Sequence, residues 1–210
     1  TKNPDYKRLI NTTHNMALNY IFEDDFIQAK SLIDKIPPYL KHLEDKDQPL
    51  WMGSHYGLNA FFYSSQKMAK ESYEYRQKRV DLIASNYELL PQKYGSYLDD
   101  AASMARRAGL LDKSEELFNK AYDFYVDNVT NNVKYRFPLI NEKALLYFQL
   151  NKKELLKNEL AKLDEIYDGI ENVDYTEQFT YNIGNLYLKF DQLNVAELQG
   201  EFDKLVSTTP

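Results

Sequence analysis

A degenerate internal repeat is the feature that most constrains how this chain can fold. A small residue followed three positions later by a tyrosine recurs as Ala17 with Tyr20, Ala60 with Tyr63, Ala144 with Tyr147 and Gly184 with Tyr187, and Ala102 with Ala105 fills the middle slot. Successive small residues lie 43, 42, 42 and 40 positions apart. The 210 residues therefore hold five units of about 42. Periods of about 20–50 residues are typical of stacked-repeat architectures.

Two further offsets keep the same spacing. Seven positions after the small residue each unit has a polar residue or glycine, as helix–helix turns require: Asp24, Lys67, Gly109, Asn151 and Asp191. Twelve positions after it units one, two, three and five again have a small residue, namely Ala29, Ser72, Ser114 and Ala196, whereas unit four has Leu156. We interpret each unit as two antiparallel helices whose small residues allow close packing. Because such a pair cannot bury both faces alone, the pattern predicts a stack, or α-solenoid.

The predicted fold is all-α, a right-handed solenoid of about ten helices in one domain spanning 1–210. The repeats are expected at roughly 5–45, 49–88, 91–130, 133–170 and 174–207. Pro4, Pro49, Pro91 and Pro138 are expected near the starts of first helices, where the missing N–H costs least. We expect the pair Pro37-Pro38 to end the second helix of the first unit. Gly200 is expected to interrupt that of the fifth.

Composition excludes several classes of protein. The absence of cysteine removes disulfides, thiol nucleophiles and thiolate metal sites. With 26 basic and 32 acidic residues, the chain lacks the cationic excess that binding to nucleic acid needs. No apolar run is long enough to span a membrane within this segment. The first residue is not Met, and we expect a processed protein or part of a longer chain. The cytoplasm is slightly favoured, and a periplasmic or extracellular sensor domain stays open.

The sequence contains no complete catalytic motif, and it therefore predicts neither an enzyme nor a cofactor. The three histidines lack the i, i+4 spacing of a helical metal site. The run from Gly53 to Gly57 resembles a nucleophile elbow, but its serine is second instead of third, so a close helix contact is the better interpretation. The basic side chains of the second helix of unit two are expected to form a solvated face: Lys67, Lys70, Arg76, Lys78 and Arg79.

The repeat residues resemble the tetratricopeptide repeat (TPR) family. The best match is unit three, with Leu98, Ala101, Ala102, Ala105, Gly109, Leu111, Ser114, Phe118 and Ala121. Unit one matches nearly as well, with Met16, Ala17, Tyr20, Phe26, Ala29 and Ile33. The usual TPR period is about 34. The longer period here is similar to that of bacterial peptide-sensing regulators and kinesin light chains.

What this resemblance implies is a non-enzymatic scaffold or sensor that holds a peptide or protein segment in a concave groove lined by the first helices. The family geometry carried onto this sequence assigns the groove to Asn11, His14, Ser54, Asp99, Arg106, Arg107, Asn141, Gln178, Tyr181 and Asn185. A role within a bacterial regulatory protein is one expectation. Alternatives are an assembly or adaptor protein that works through its convex face or forms homo-oligomers through its ends, and a helical accessory domain of an enzyme.

Overall fold

The computed structural model describes residues 4–88, 91–129, 133–167, 175–189 and 193–207, and their side chains except those of 91–92, 133–134, 166–167, 175–180 and 205–207. These ranges contain eleven helices and no strand. They are α1 (Tyr6–Phe22), α2 (Phe26–Ile33), α3 (Ile36–Leu40), α4 (Gln48–Ser65), α5 (Ala69–Ala84), α6 (Pro91–Arg107), α7 (Leu111–Asn128), α8 (Val133–Gln149), α9 (Lys153–Tyr167), α10 (Tyr175–Lys189) and α11 (Val195–Ser207).

The turn between the two helices of a pair has the same backbone geometry in four repeats. Its left-handed residue is the one expected from the sequence, with φ of 58° at Asp24, 61° at Lys67, 76° at Gly109 and 55° at Asn151. In the first turn the Asp25 N–H donates to the Tyr20 carbonyl at 2.8 Å, and the Asp24 N–H donates to the Ile21 carbonyl at 3.1 Å. Equivalent bond pairs close the other three turns. This is the Schellman motif, which satisfies carbonyls at the end of the first helix.

The small residue of the first helix is buried in each of the first four repeats. Ala17, Ala60, Ala102 and Ala144 are at most 2% exposed. In the second pair the Ser72 hydroxyl of α5 donates to the Ala60 carbonyl of α4 at 2.7 Å. A side chain can reach a helix backbone in this way only where no large residue separates the two helices.

The chain divides into two compact units, residues 1–110 and 111–210. In the first, α1 packs against α2, α3 and α4, and α5 packs against α4 and α6. One cluster of the core of that unit includes Ile10, Ile21, Ile33, Leu58 and Phe62. In the second unit, α8 packs against α7, α9 and α10 around a core that includes Phe137, Ile140, Leu156, Leu160 and Leu163. That the whole chain acts as one domain stays a prediction.

Some boundaries differ from the sequence prediction. Pro37 and Pro38 lie in the first turn of α3, after a break in which α2 has ended at Ile33. First-turn N–H groups have no intrahelical partner, so a new helix can begin at these prolines. Pro138 lies inside α8 instead of at its start. Gly200 lies inside an uninterrupted α11. Glycine in a helix costs only about 1 kcal/mol relative to alanine, which does not suffice to end the helix.

We predict that Lys67→Gly raises the free energy of unfolding by up to about 1 kcal/mol. A non-glycine residue in the left-handed region costs about 1–2 kcal/mol, and glycine removes this cost. Part of the gain is lost because glycine makes the unfolded chain more flexible. Urea denaturation followed by circular dichroism measures the change. Glu74→Gly, at an exposed position inside α5, is the matched control and should lower stability by about 1 kcal/mol. Destabilisation by both substitutions would contradict this account of the turn.

Candidate functional site

The structure places the predicted groove residues of the first unit on the first helices at different depths. Asn11 on α1 and Arg107 on α6 are exposed, and Asp99 on α6 is half-buried. Arg106 is only 9% exposed, so its guanidinium offers a ligand little surface. The exposed part of this face is therefore smaller than the sequence predicts.

His14 and Ser54 are the predicted residues that the structure brings together in this unit. The half-buried His14 ring of α1 makes hydrogen bonds with the Asn15 side chain and the Ser54 backbone on α4. Burial lowers the pKa of His14, and these two hydrogen bonds oppose the shift. The pair therefore ties α1 to α4 with a neutral polar contact.

His55 is a neighbouring polar residue that was not among the predicted groove residues. Its ring is 8% exposed, with Nε2 lying 3.3 Å from the Asn59 amide nitrogen. Burial lowers the pKa of His55 to about 4; nearby His14 and Lys30 lower it too, and Asp34 opposes them. A histidine in this state is neutral at pH 7. The sequence signal for it was the spacing from His55 to Asn59, which places both on one face of α4.

Arg76 and Arg79 of α5 form a second polar contact, and the expectation of a solvated face was wrong for both. Their side chains are 14% and 19% exposed and bind the two oxygens of Asp100 at 2.9 and 3.3 Å. The Arg79 guanidinium lies 3.8 Å from the centre of the Tyr97 ring. A methyl group on Gly57 would come within 3.2 Å of that guanidinium. The predicted close helix contact near Gly57 therefore exists, and the missing side chain of Gly57 leaves space for the Arg79 guanidinium.

In the second unit the predicted residues lie on α8 and α10. Asn141 is only 6% exposed, whereas Tyr181 and Asn185 are half-buried. Asn185 donates to the Tyr181 carbonyl at 3.2 Å, and the Tyr181 hydroxyl donates to Asp164 of α9. The side chain of Gln178 lies outside the part that the structure describes. Direct ligand contact by any of these residues stays a prediction.

A buried ion pair lies between α8 and α9 of this unit. Lys143 and Glu159 are each 5% exposed at the side chain, and Nζ lies 3.2 Å from Oε1. Lys162 also reaches the Glu159 carboxylate at 2.9 Å. The Lys143 ammonium lies 5.4 Å from the centre of the Tyr122 ring of α7. These contacts hold three helices together through charge, and no sequence motif predicted them.

Uncharged hydrogen-bonding groups occur among the side chains of the first helices. They include amides, hydroxyls and imidazoles, which can both donate and accept hydrogen bonds. Among the described residues no group of three histidine, aspartate or glutamate side chains is placed to hold a metal ion. Within the same residues no helix is long and apolar enough to cross a membrane.

Comparison with known proteins gives similarity in structure alone. No protein-family model and no curated protein matches the sequence. One match is a crystal structure of a single-substitution form of a Podosopora anserina protein, described as a kinesin light chain with nearly identical TPR-like repeats. Its TM-score is 0.72 at 13% identity, and the match covers 98% of this chain and 96% of that one. Another structure described in the same terms, without the substitution, matches with a TM-score of 0.66 at 14% identity, with the same coverage.

BtubC (BKLC) from P. vanneervenii also matches, with a TM-score of 0.66 at 14% identity over 98% of this chain and 88% of that one. These matches each extend over nearly the whole sequence. The chain has the TPR-like repeat fold. The all-α solenoid expected from the 42-residue period is thereby confirmed. TPR-like repeats form scaffolds that typically mediate protein interactions.

We predict that the folded protein loses stability as the pH falls from about 6.5 towards 4. The unfolded state then binds protons that the neutral His55 does not, at a cost of up to about 3 kcal/mol at the acid end of this range. Urea midpoints measured between pH 7 and 4.5 should fall steadily. His55→Gln should flatten this dependence, whereas His42→Gln, at an exposed position, should leave it unchanged. Equal slopes in the wild type and His55→Gln would contradict the assignment.

We also predict that Lys143→Met lowers the free energy of unfolding by about 3 kcal/mol, because it leaves the Glu159 carboxylate buried with one fewer cation. The double variant Lys143→Met with Glu159→Leu should regain most of the loss. Lys204→Met, which breaks an exposed pair with Glu201 in the same unit, should produce no measurable change. The account fails if the single and double variants are equally unstable.

Proposed function

We propose that this protein is a non-enzymatic scaffold or sensor that binds peptide or protein segments on the surface of its first helices. The observation that carries the proposal is the TPR-like repeat fold, which extends over 98% of the chain. A function within a bacterial regulatory protein is part of this proposal. It draws on the resemblance of the long repeat period to peptide-sensing regulators.

The character of the first helices supports this proposal. In the first unit Asn11 is exposed and Ser54 is half-buried on neighbouring helices. In the second unit Tyr181 and Asn185 lie one helical turn apart on α10 and are partly accessible. Side-chain amides can pair with a peptide backbone without requiring a particular charge on the ligand. We propose these four residues as ligand contacts.

The remaining predicted residues differ in what they could contribute. Arg107 is exposed and could pair with an acidic group of the ligand. Arg106 and Asn141 are buried, so we propose that they support the shape of the surface. His14 is half-buried and holds Ser54 in place through its backbone.

The test is selection of binding peptides from a random library with the whole chain, followed by fluorescence anisotropy on variants. The double variant Asn11→Ala with Ser54→Ala, both in the first unit, should weaken binding of the selected peptides by about tenfold, as expected when contact side chains are lost. The matched control is Asn119→Ala with Asn158→Ala, which removes exposed amides from the second helices α7 and α9. Equal weakening by both variants, or none by the first, would show that the ligand binds elsewhere.

A further inference from the structure

The buried His55 ring of α4 is arranged for a neutral imidazole. The residue is 8% exposed, and its Nδ1 has no hydrogen-bond partner among the described residues. Its Nε2 faces the Asn59 amide nitrogen at 3.3 Å, and the same nitrogen donates to the His55 carbonyl at 2.9 Å. The bond to the carbonyl holds the amide with its donor towards Nε2. Nε2 therefore accepts a hydrogen bond, and a proton added there would point at another donor.

The charged groups around His55 also oppose a positive charge on its ring. His14 faces it from α1 and Lys30 from α2, and a positive charge on either repels one on His55. Asp34, at the end of α2, would attract a cation, but its carboxylate is paired with Lys30. A protonated ring would therefore lie in a buried site whose facing carboxylate already has a cation, which is costly.

The other helices that pack against α4 are α3 and α5. The helix α3 contains no charged residue, and Tyr39 is its titratable group. On α5, Tyr75 faces Lys30 and Asp34, and burial raises the pKa of its hydroxyl, which is therefore neutral at pH 7 and below. Arg79 of α5 brings a further positive charge against α4. Protonation of the imidazole is thus favoured when α4 separates from α1 and α2 and water reaches the ring.

The helices that meet at this imidazole carry two of the proposed ligand contacts. Asn11 lies three positions before His14 on α1, and Ser54 directly precedes His55 on α4. The His14 ring bonds to the Ser54 backbone. Separation of α1 from α4 would break this bond and change the distance between Asn11 and Ser54. A peptide held by both residues would then lose one of its contacts.

We propose that acidification opens the contact of α1 and α2 with α4 and thereby releases a ligand held by Asn11 and Ser54. Below about pH 6.5 the exposed His55 ring binds a proton that the closed form excludes, so the open form becomes more stable as the pH falls. The release of ligand rests on the proposed function, whereas the opening requires no ligand.

Hydrogen–deuterium exchange of the whole chain at pH 7.5 and 5.0 tests the opening, with rates corrected for the intrinsic effect of pH. The pKa of His55 is about 4 in the closed form and about 6.5 when the ring is exposed. The slowest amides of α1 and α2 should therefore open about thirtyfold more often at pH 5.0. They should also be less protected there than the amides of α5. Equal protection of the three helices would indicate unfolding of the whole unit and would overturn the proposal, as would unchanged opening.

Two variants separate the imidazole from general effects of acid. Asn59→Asp places an acceptor opposite Nε2, so the closed form can hold a protonated His55 and the thirtyfold increase should disappear. His55→Gln removes the titrating group and should have the same effect. His42→Gln, at an exposed position, is the matched control and should respond as the wild type does. Circular dichroism at pH 7.5 checks folding. A wild-type response in whichever of the first two variants folds would overturn the proposal.

Ligand release is measured by fluorescence anisotropy with peptides selected at pH 7.5 whose binding depends on Asn11 and Ser54. Their Kd should rise several-fold between pH 7.5 and 5.0 for the wild type and His42→Gln, and by less than about twofold for Asn59→Asp and His55→Gln. An equal rise in all four proteins would overturn the regulation. If no peptide is selected at pH 7.5, the proposed function fails together with the release of ligand, and the exchange rates still decide whether the opening occurs.

Discussion

Close packing of the first helix of a repeat against its neighbours is the constraint on which the rest of the structure depends. It requires a small residue on the first helix, and Ala17, Ala60, Ala102 and Ala144 supply it with almost no exposed surface. In the second pair the approach is close enough for the Ser72 hydroxyl to reach the Ala60 carbonyl. A larger side chain at these positions would force the helices apart and open the core. The Schellman turns then return the chain at a constant offset from this contact.

Ion pairs between neighbouring helices stabilise the packing within each unit. Asp100 holds two arginines of α5 against α6, and Lys143 pairs with Glu159 between α8 and α9. The Lys143–Glu159 pair is buried on both sides, and breaking it is strongly destabilising because the remaining charge has little water to solvate it. Aromatic rings add cation–π contacts to these ion pairs, since Tyr97 stacks on Arg79 and Tyr122 lies beside Lys143. The tyrosines of this chain thus serve packing and cation binding within the fold.

The fifth pair differs from the other four because its second helix is poorly buried. Its first helix has Gly184 in the small position, with Leu160 side-chain carbons 3.3 Å from where a methyl group would be. Its second helix leaves Ala196 and Val195 exposed. The predicted interruption of this helix at Gly200 was wrong, because α11 is continuous from Val195 to Ser207. The fifth pair differs from the others in how α11 packs.

The sequence by itself determined the all-α fold, the period and the turn residues. These follow from local chemistry repeated at a fixed spacing, which a single chain displays directly. Burial of individual polar side chains was decided by tertiary structure: Arg106 and Asn141 were expected to face a ligand and are buried. Periodicity places a residue on a helix face, but only the neighbouring helices decide whether that face remains open. For the same reason Asp100, Lys143 and Glu159 acquired partners that lie far away in the sequence.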